Sequence, residues 1–318
     1  MAKLVGAARS SSGAAAQKLS FQVALAIEED LLREGWDDGE LIGSQADIQN
    51  RFGIGRWAFR ETAKVLEVRG SARMKRGPGG GLKAVTPKLE NFSRRVMAYM
   101  ILSRGHEADI AGAIVEIHRL MQFSNCAGVA IFLVELLTEV RAMFADSRPD
   151  FHRLVLTLGP AESLNDLCYA RQLAVRIIDD IVASDERHPH CIGSEWDLAG
   201  RYGYRMETVR QASRILEGIG LVEAQVGRNG GIFTRQPQLM LSHAQLLSYL
   251  ETRGVTPVQA RDFAEHWREQ IADCGNAILA ALSPIIAHFA PANVIPLHAP
   301  RPSRYTHVAQ NKSKQACL

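Results

Sequence analysis

Cysteine is scarce, and none of it is spaced for a shared job. Cys126, Cys168, Cys191, Cys274 and Cys317 are odd in number, scattered and never form C-x-x-C. A disulfide framework or a zinc knuckle needs closer sets, so neither is expected, and the usage fits a reducing cytoplasm. Long apolar runs are missing too. Val129–Val134 stops at Glu135, and no stretch approaches the roughly 20 residues of a membrane helix. There is no strong charge of one sign, since 37 Lys and Arg stand against 34 Asp and Glu for a net +3. This excludes a uniformly basic coat for nucleic acid but leaves room for a local basic face. Hydrophobic residues at 47% with charged residues at 22% fit a globular chain rather than a disordered one. At about 150 residues per domain, 318 residues suggest two domains. Residues 1–20 are rich in Ala, Ser and Gly with Lys3 and Arg9, lack the apolar core of a secretory signal, and read as a disordered tail. Residues 291–318 mix Pro, His, Lys and Gln without periodicity and read as a flexible tail.

What the sequence does hold is one module written twice, at a fixed offset of 150 residues without a gap. Gly43-Ser44 answers Gly193-Ser194, Asp47 answers Asp197, Gly53 answers Gly203 and Arg60 answers Arg210. The register continues through Leu66-Glu67 and Leu216-Glu217, then Gly70 and Gly220. Gly77, Gly80, Gly81 and Pro87 recur as Gly227, Gly230, Gly231 and Pro237, and upstream Ile27 and Asp30 recur as Ile177 and Asp180. Backbone geometry sets where glycines fall, so this many coincidences argue against chance.

Each copy reads as helix, turn, helix, helix, wing. In the first, Val23, Ile27, Leu31 and Leu32 form one stripe of a helix from Val23 to Arg33. Ser44 is placed to cap a second helix through Ile48 and Phe52, which Gly53 stops. A third helix, from about Arg56 to Val68, turns Phe59, Ala63 and Leu66 inward and leaves Arg56, Arg60 and Lys64 on or near another face. Gly70 ends it, and Ser71–Lys75 with Leu82–Val85 are predicted strands around Arg76-Gly77-Pro78-Gly79-Gly80-Gly81. The expected unit is a winged helix-turn-helix.

These residues resemble the GntR-type bacterial transcription regulators, nearest to the FadR-like subfamily, over most of the chain. The family's recognition-helix pattern is Gly, apolar, Ser or Thr, Arg, three variable residues, Arg, Glu, then a Leu-Glu or similar pair and a glycine. Here it stands as Gly53-Ile54-Gly55-Arg56-Trp57-Ala58-Phe59-Arg60-Glu61, with Leu66-Glu67 and Gly70 following. Arg76 to Leu82 is similar to the family's glycine-rich wing. The resemblance implies a cytoplasmic, sequence-specific regulator that binds double-stranded DNA.

Charge supports that expectation locally. From Ile48 to Lys88 ten cations face only Glu61 and Glu67, a surplus of eight inside a chain of net +3. Arg56 and Arg60 at a helix start suit the major groove, where a guanidinium fork reaches guanine or phosphate. Arg73, Lys75 and Arg76 beside the wing glycines suit the sugar-phosphate rail. The expected DNA-contacting set is Ser44, Arg56, Trp57, Arg60, Arg73, Lys75, Arg76, Gly77, Gly79 and Gly80, joined by Arg205, Arg210, Arg228 and Asn229 of the second copy. Each has a plainer use: Ser44 as a cap, Trp57 as a packing residue, Arg60 in a pair with Glu61 or Glu67. The glycine run is not followed by Lys-Ser or Lys-Thr, so a nucleotide phosphate loop is not expected. The second copy puts Met206 where Arg56 stands and carries a surplus of only three from Arg201 to Arg235, which predicts weaker contact or an architectural role.

Helical sequence follows each copy, and similarity continues there with a slip of one residue. Ser103-Arg104-Gly105 resembles Thr252-Arg253-Gly254, and Glu116 with Arg119 resembles Glu265 with Arg268. The expected fold is therefore mainly α with small β-wings, an α+β chain of two winged domains each followed by a short helical bundle. The boundaries are 21–88 for the first winged domain, 89–170 for a bundle resembling a truncated FadR-type C-terminal domain, 171–237 for the second winged domain and 238–290 for a short helical region. In FadR-like proteins such regions form a helical domain that binds an effector and mediates dimerisation. Phe151-His152 resembles its Phe-His motif, but Arg148 stands where a metal-ligating Asp is implied, so no metal or other cofactor is expected. His118 and His266 read as structural. A small-molecule effector is left open, with no residue set pointing to one. The repeat allows an intrachain pseudo-dimer or a homodimer on a palindrome. The rival class is a protein-interaction or assembly module with little DNA affinity. No nucleophile-base or ligand constellation points to an enzyme.

Overall fold

The computed structural model describes residues 13–122, 127–145, 148–156, 164–225, 230–239, 241–271 and 274–289. Over these the chain is mainly helical, with two three-stranded antiparallel sheets and one two-stranded ribbon. It opens with α1 (Gly13–Glu34), β1 (Leu41–Gly43), α2 (Gln45–Phe52), α3 (Arg56–Arg69), β2 (Ala72–Lys75) and β3 (Gly81–Ala84). Val23, Ile27 and Leu31 of α1 are buried, as are Phe59, Ala63 and Leu66 of α3, and the two helices pack on one another. α1 begins at Gly13, within the stretch expected to be a tail. Ala14, Ala15 and Ala16 are strong helix formers, which favours the earlier start. Ser20 is buried, its hydroxyl donating to the Ala58 carbonyl at 3.3 Å while its own carbonyl accepts from Thr62 at 3.3 Å.

The sheet order is β1-β3-β2, and β1 is too short for its alternation to stand out in the sequence. Its pairing with β3 demands glycine: a Cβ on Gly81 would lie 2.6 Å from the Gly43 carbonyl oxygen, so the two strands meet backbone to backbone.

Three helices follow, α4 (Leu89–Ser103), α5 (Glu107–Met121) and α6 (Ala127–Arg141), then the ribbon β4 (Phe144–Ala145) and β5 (Arg148–Pro149), and α7 (Phe151–Leu156). A second set then repeats the first: α8 (Leu164–Ala183), β6 (Cys191–Gly193), α9 (Glu195–Tyr202), α10 (Met206–Ile219), β7 (Val222–Gln225) and β8 (Gly231–Thr234). α8 starts ahead of the expected boundary at residue 171. The strand register matches at the offset of 150. Ala72 pairs with Ala84 and Lys75 with Gly81; Val222 pairs with Thr234 and Gln225 with Gly231. Leu41 opposite Lys83 and Gly43 opposite Leu82 recur as Cys191 opposite Phe233 and Gly193 opposite Ile232. The chain closes with α11 (His243–Thr252), α12 (Pro257–Ile271) and α13 (Ala277–Ala287).

The two helical stretches do not form separate bundles, as the sequence suggested, but pack as one layer. α6 explains this, because Val129, Ala130, Phe132, Leu133, Leu136, Leu137 and Val140 form one broad buried face over nearly half of its circumference. An apolar face this broad takes partners beyond two neighbours in sequence. α5, α4, α12 and α11 supply them. Phe92 of α4, Phe132 of α6 and Tyr249 of α11 meet with ring centroids 5.4–5.7 Å apart. Asn276 at the start of α13 donates to the Asp109 carbonyl at 2.8 Å, and Arg253 pairs with Glu135 at 2.7 Å.

The stretches also cross over. α11, which follows the second set, packs on α1 of the first, and α4, which follows the first set, touches α10 of the second. The α11 contact is a buried polar network. Arg69 donates to both oxygens of Glu28 at 2.7 and 2.6 Å, with the two residues 5% and 0% exposed. Ser71 also donates to Glu28, and Ser242 of α11 does so at 2.7 Å. Gln245 of α11 donates to the Arg69 carbonyl at 2.8 Å and to the Ser71 hydroxyl at 2.7 Å. Burial alone would push the Glu28 carboxyl up, but the Arg69 charge and the donated hydrogen bonds outweigh it and hold it below its ordinary 4.5. At the equivalent positions of the second set stand Ile178, Ile219 and Leu221, all buried.

Breaking a buried pair strands one charge, so Arg69→Met is expected to cost about 3–5 kcal/mol in urea unfolding. Adding Glu28→Leu recovers most of that loss, as the apolar set of the second copy leads one to expect. The pair stabilises fully above the ordinary carboxylate range and is lost as pH falls through the depressed value of Glu28. Wild type therefore loses stability more steeply than the double variant below about pH 4.5.

Candidate nucleic-acid interface

Two short loops position α3. Ser44 caps α2, its hydroxyl accepting from the Asp47 amide at 3.2 Å while Asp47 accepts from the Ser44 amide at 2.8 Å. The hydrogen bonds from Ser44 hold the Asp47 carboxyl below its ordinary range. Gly53 ends α2 in the left-handed region at φ 63°, and Ile54, only 6% exposed, anchors the turn into α3. α3 then starts at Gly55 with no side-chain cap, so the amides of its first turn face outward. The sequence assigned Ser44 both a cap and a phosphate contact, and the structure places it as the cap.

The cations of the first set separate into two groups. Arg51 pairs with Asp30, Lys64 pairs with Glu61 at 2.6 Å, and Arg69 is buried against Glu28. These three belong to the fold, so the surplus read from sequence overstates the outward charge. Arg56 and Arg60 on the first turns of α3, and Arg73, Lys75 and Arg76 on β2 and its turn, are exposed. Among the described residues none of these five is in an ion pair. Arg60 does not use Glu61 or Glu67: the first takes Lys64, and the second accepts the Met74 amide at 2.9 Å. Trp57 is 51% exposed beside Arg56, so it is not a core residue.

The wing glycines are required by the backbone. Gly80 donates to the Gly77 carbonyl at 2.9 Å, and a Cβ on Gly80 would sit 2.3 Å from the Lys75 carbonyl oxygen. Around Gly77 and Gly79 nothing lies within 4 Å of an added Cβ, which leaves the turn's backbone open.

The second set keeps the geometry and loses the charge. Ser194 and Asp197 repeat the capping box, with an amide-to-hydroxyl distance of 3.2 Å, and Ala224 donates to Glu217 at 2.8 Å as Met74 does to Glu67. Arg210, however, is held by Glu195 at 2.9 Å and lies 3.9 Å from Glu207. The matching positions in the first set are Gln45 and Trp57, which carry no charge. Glu207 enters the smaller surplus expected of the second copy, whereas Glu195 lies just outside the Arg201–Arg235 stretch over which that surplus is taken. Arg205 is exposed at the start of α10. Arg228 and Asn229 lie outside the described residues.

The repeated Leu-Glu pair also has a role that sequence reasoning did not assign. Each glutamate ties the end of its third helix to the first strand of its hairpin, fixing the angle between helix and turn. α3 and α10 touch one another, so the two sets form one unit. The side chain of His152 lies outside the described residues. His118 and His266 each spend Nδ1 on the carbonyl one turn back, at 2.9 Å. Among the described residues no group of three or more His, Cys, Asp or Glu is placed to hold a metal, and no helix is long and apolar enough to cross a membrane.

Equal capping geometry predicts equal losses. Ser44→Ala and Ser194→Ala should each cost about 1 kcal/mol of stability by thermal unfolding. An appreciably larger DNA-binding loss in Ser44→Ala would show that its hydroxyl has a use beyond the cap.

Comparison with protein-family models, with curated proteins and with solved structures finds no match to this chain.

Proposed function

We propose that the chain is a sequence-specific DNA-binding transcription regulator of the GntR type, built on two winged helix-turn-helix modules. The first module reads, and the second supports it. The observation that carries this is the pairing pattern: five exposed cations on α3 and the first wing have no ion-pair partner among the described residues, whereas Arg210 of the second recognition helix has two. An open helix N-terminus flanked by Arg56 favours phosphate or base edges. Arg73, Lys75 and Arg76 would neutralise the rail beside it. Because α3 and α10 are in contact, the proposal takes the intrachain pair as the DNA-facing unit.

Selection from a random DNA pool, followed by salt-titrated binding of the winning sequence, tests the reading. Arg56→Ala with Arg60→Ala is expected to weaken binding about a hundredfold or more and to flatten the motif. Arg73→Ala should weaken all sequences alike and lower the salt slope by about 1. Arg210→Ala should change affinity less than about twofold. Neutralising its holders with Glu195→Gln and Glu207→Gln should raise affinity about fivefold, or roughly 1 kcal/mol. An unenriched pool with salt-independent behaviour would sink the reading and favour the protein-interaction class.

A further inference from the structure

The chain has four tryptophans, and they divide by surroundings. Trp36 and Trp267 are buried, and each indole N–H donates, to the Val85 carbonyl at 2.8 Å and to the Ser283 hydroxyl at 2.9 Å. Trp57 and Trp196 stand outward, at 51% and 76% exposure. Of these two, Trp57 stands among the unpaired arginines of α3. The core does not use it, since Ala58, Phe59, Ala63 and Leu66 supply the buried face of that helix. The rear of α3 is engaged elsewhere, where Glu61, Lys64 and Val65 line a cavity of about 600 Å³ between the two sets together with Arg214, Glu217 and Ile219. Among the described residues the Trp57 indole has no ring contact, cation contact or hydrogen bond.

Arg56 precedes Trp57, and Arg60 follows it by three residues, so ring and guanidinium lie side by side on the helix surface. The shared frame does not ask for an aromatic residue there. At the offset of 150 stands Glu207, which lies 3.9 Å from Arg210, and α10 keeps the 14 residues of α3. On α3 the same position carries apolar surface and one N–H donor next to arginines that no carboxylate holds. A base pair's major-groove edge carries one apolar group, the C5 methyl of thymine, which neighbours the thymine O4 acceptor. An indole offers the complementary pair, an apolar ring and an N–H that only donates. Cytosine presents an amino donor and no methyl, and so answers neither; guanine presents two acceptors, which suit an arginine fork better.

We propose that Trp57 reads the methyl group of a thymine lying beside the bases taken by Arg56 and Arg60. The inference rests on the DNA reading and specifies which base the helix selects. Deoxyuridine is thymidine without that methyl. In the sequence won from the random pool, each thymidine of either strand is replaced in turn by deoxyuridine, and binding of the full chain is titrated at several salt concentrations. Wild type is expected to lose about fourfold at one thymine position, the worth of one buried carbon group. Trp57→Ala should abolish that sensitivity while keeping the salt slope, because it removes no charge. Trp57→Phe, which retains an apolar ring, should keep it. Position 57 is exposed and Ala is the better helix former, so thermal melting should show both variants folded. A winning sequence without thymine, indifference to deoxyuridine at every position, or equal sensitivity in wild type and Trp57→Ala would overturn the inference and leave the DNA reading standing. An unenriched pool would overturn both.

Discussion

The Glu28–Arg69 pair is the constraint through which the rest of the molecule is tied together. It joins α1 to the end of α3, and Ser71 brings in β2 while Ser242 and Gln245 bring in α11. α1, the end of α3 with the residue that opens its hairpin, and the cap of α11 therefore meet at one carboxylate. A charge this deep is tolerable only when every oxygen is answered, and Glu28 accepts from Arg69, Ser71 and Ser242. The polar network also fixes which surface α11 must find. An apolar patch would accept α11 in several rotations, whereas three hydroxyl and amide donors aimed at Glu28 and its neighbours accept one. Since α11 follows the second set, this choice makes the helical layer common to both.

The second set shows what the same backbone does without that constraint. Ile178, Ile219 and Leu221 pack where Glu28, Arg69 and Ser71 stand, yet strand register, capping box and helix lengths are kept. The fold of each set thus rests on the glycines, caps and apolar stripes that the two share, and the polar network is an addition that specifies partnership. The same separation holds on the outside. Glu195 and Glu207 neutralise Arg210 on α10, while Gln45 and Trp57 leave Arg60 exposed on α3. Charge can diverge on a shared frame because it sits at positions the frame does not need.

This division decides how much was legible in the sequence. Helices and hairpins were, because Ser44, Gly53, Gly70 and the wing glycines are local instructions, and the offset of 150 printed each of them twice. The exposed face of α3 was legible for the same reason, since Arg56 and Arg60 are spaced by one helical turn. Three things were not. Arg69 looked like one more outward cation, because the carboxylate that buries it is far away in sequence, at Glu28. The joined helical layer depends on the broad apolar face of α6, which says that partners are needed but not which ones. The helix over residues 13–20 was hidden because an Ala-rich stretch reads as low complexity until something covers it, as Ala58 and Thr62 cover Ser20.

The placement of the cavity follows from the same crossing of chains. α4 leaves the first set and touches α10 of the second, which carries Arg95 across to Arg214 and Glu217. No single repeat contains the walls, so no reading of one repeat by itself would find them. Val65 of α3 and Arg214 of α10 both line the cavity. The exposed tip of α3 and the internal space behind it are thus two ends of one 14-residue helix, and what fixes the inner end of that helix also fixes its outer turns.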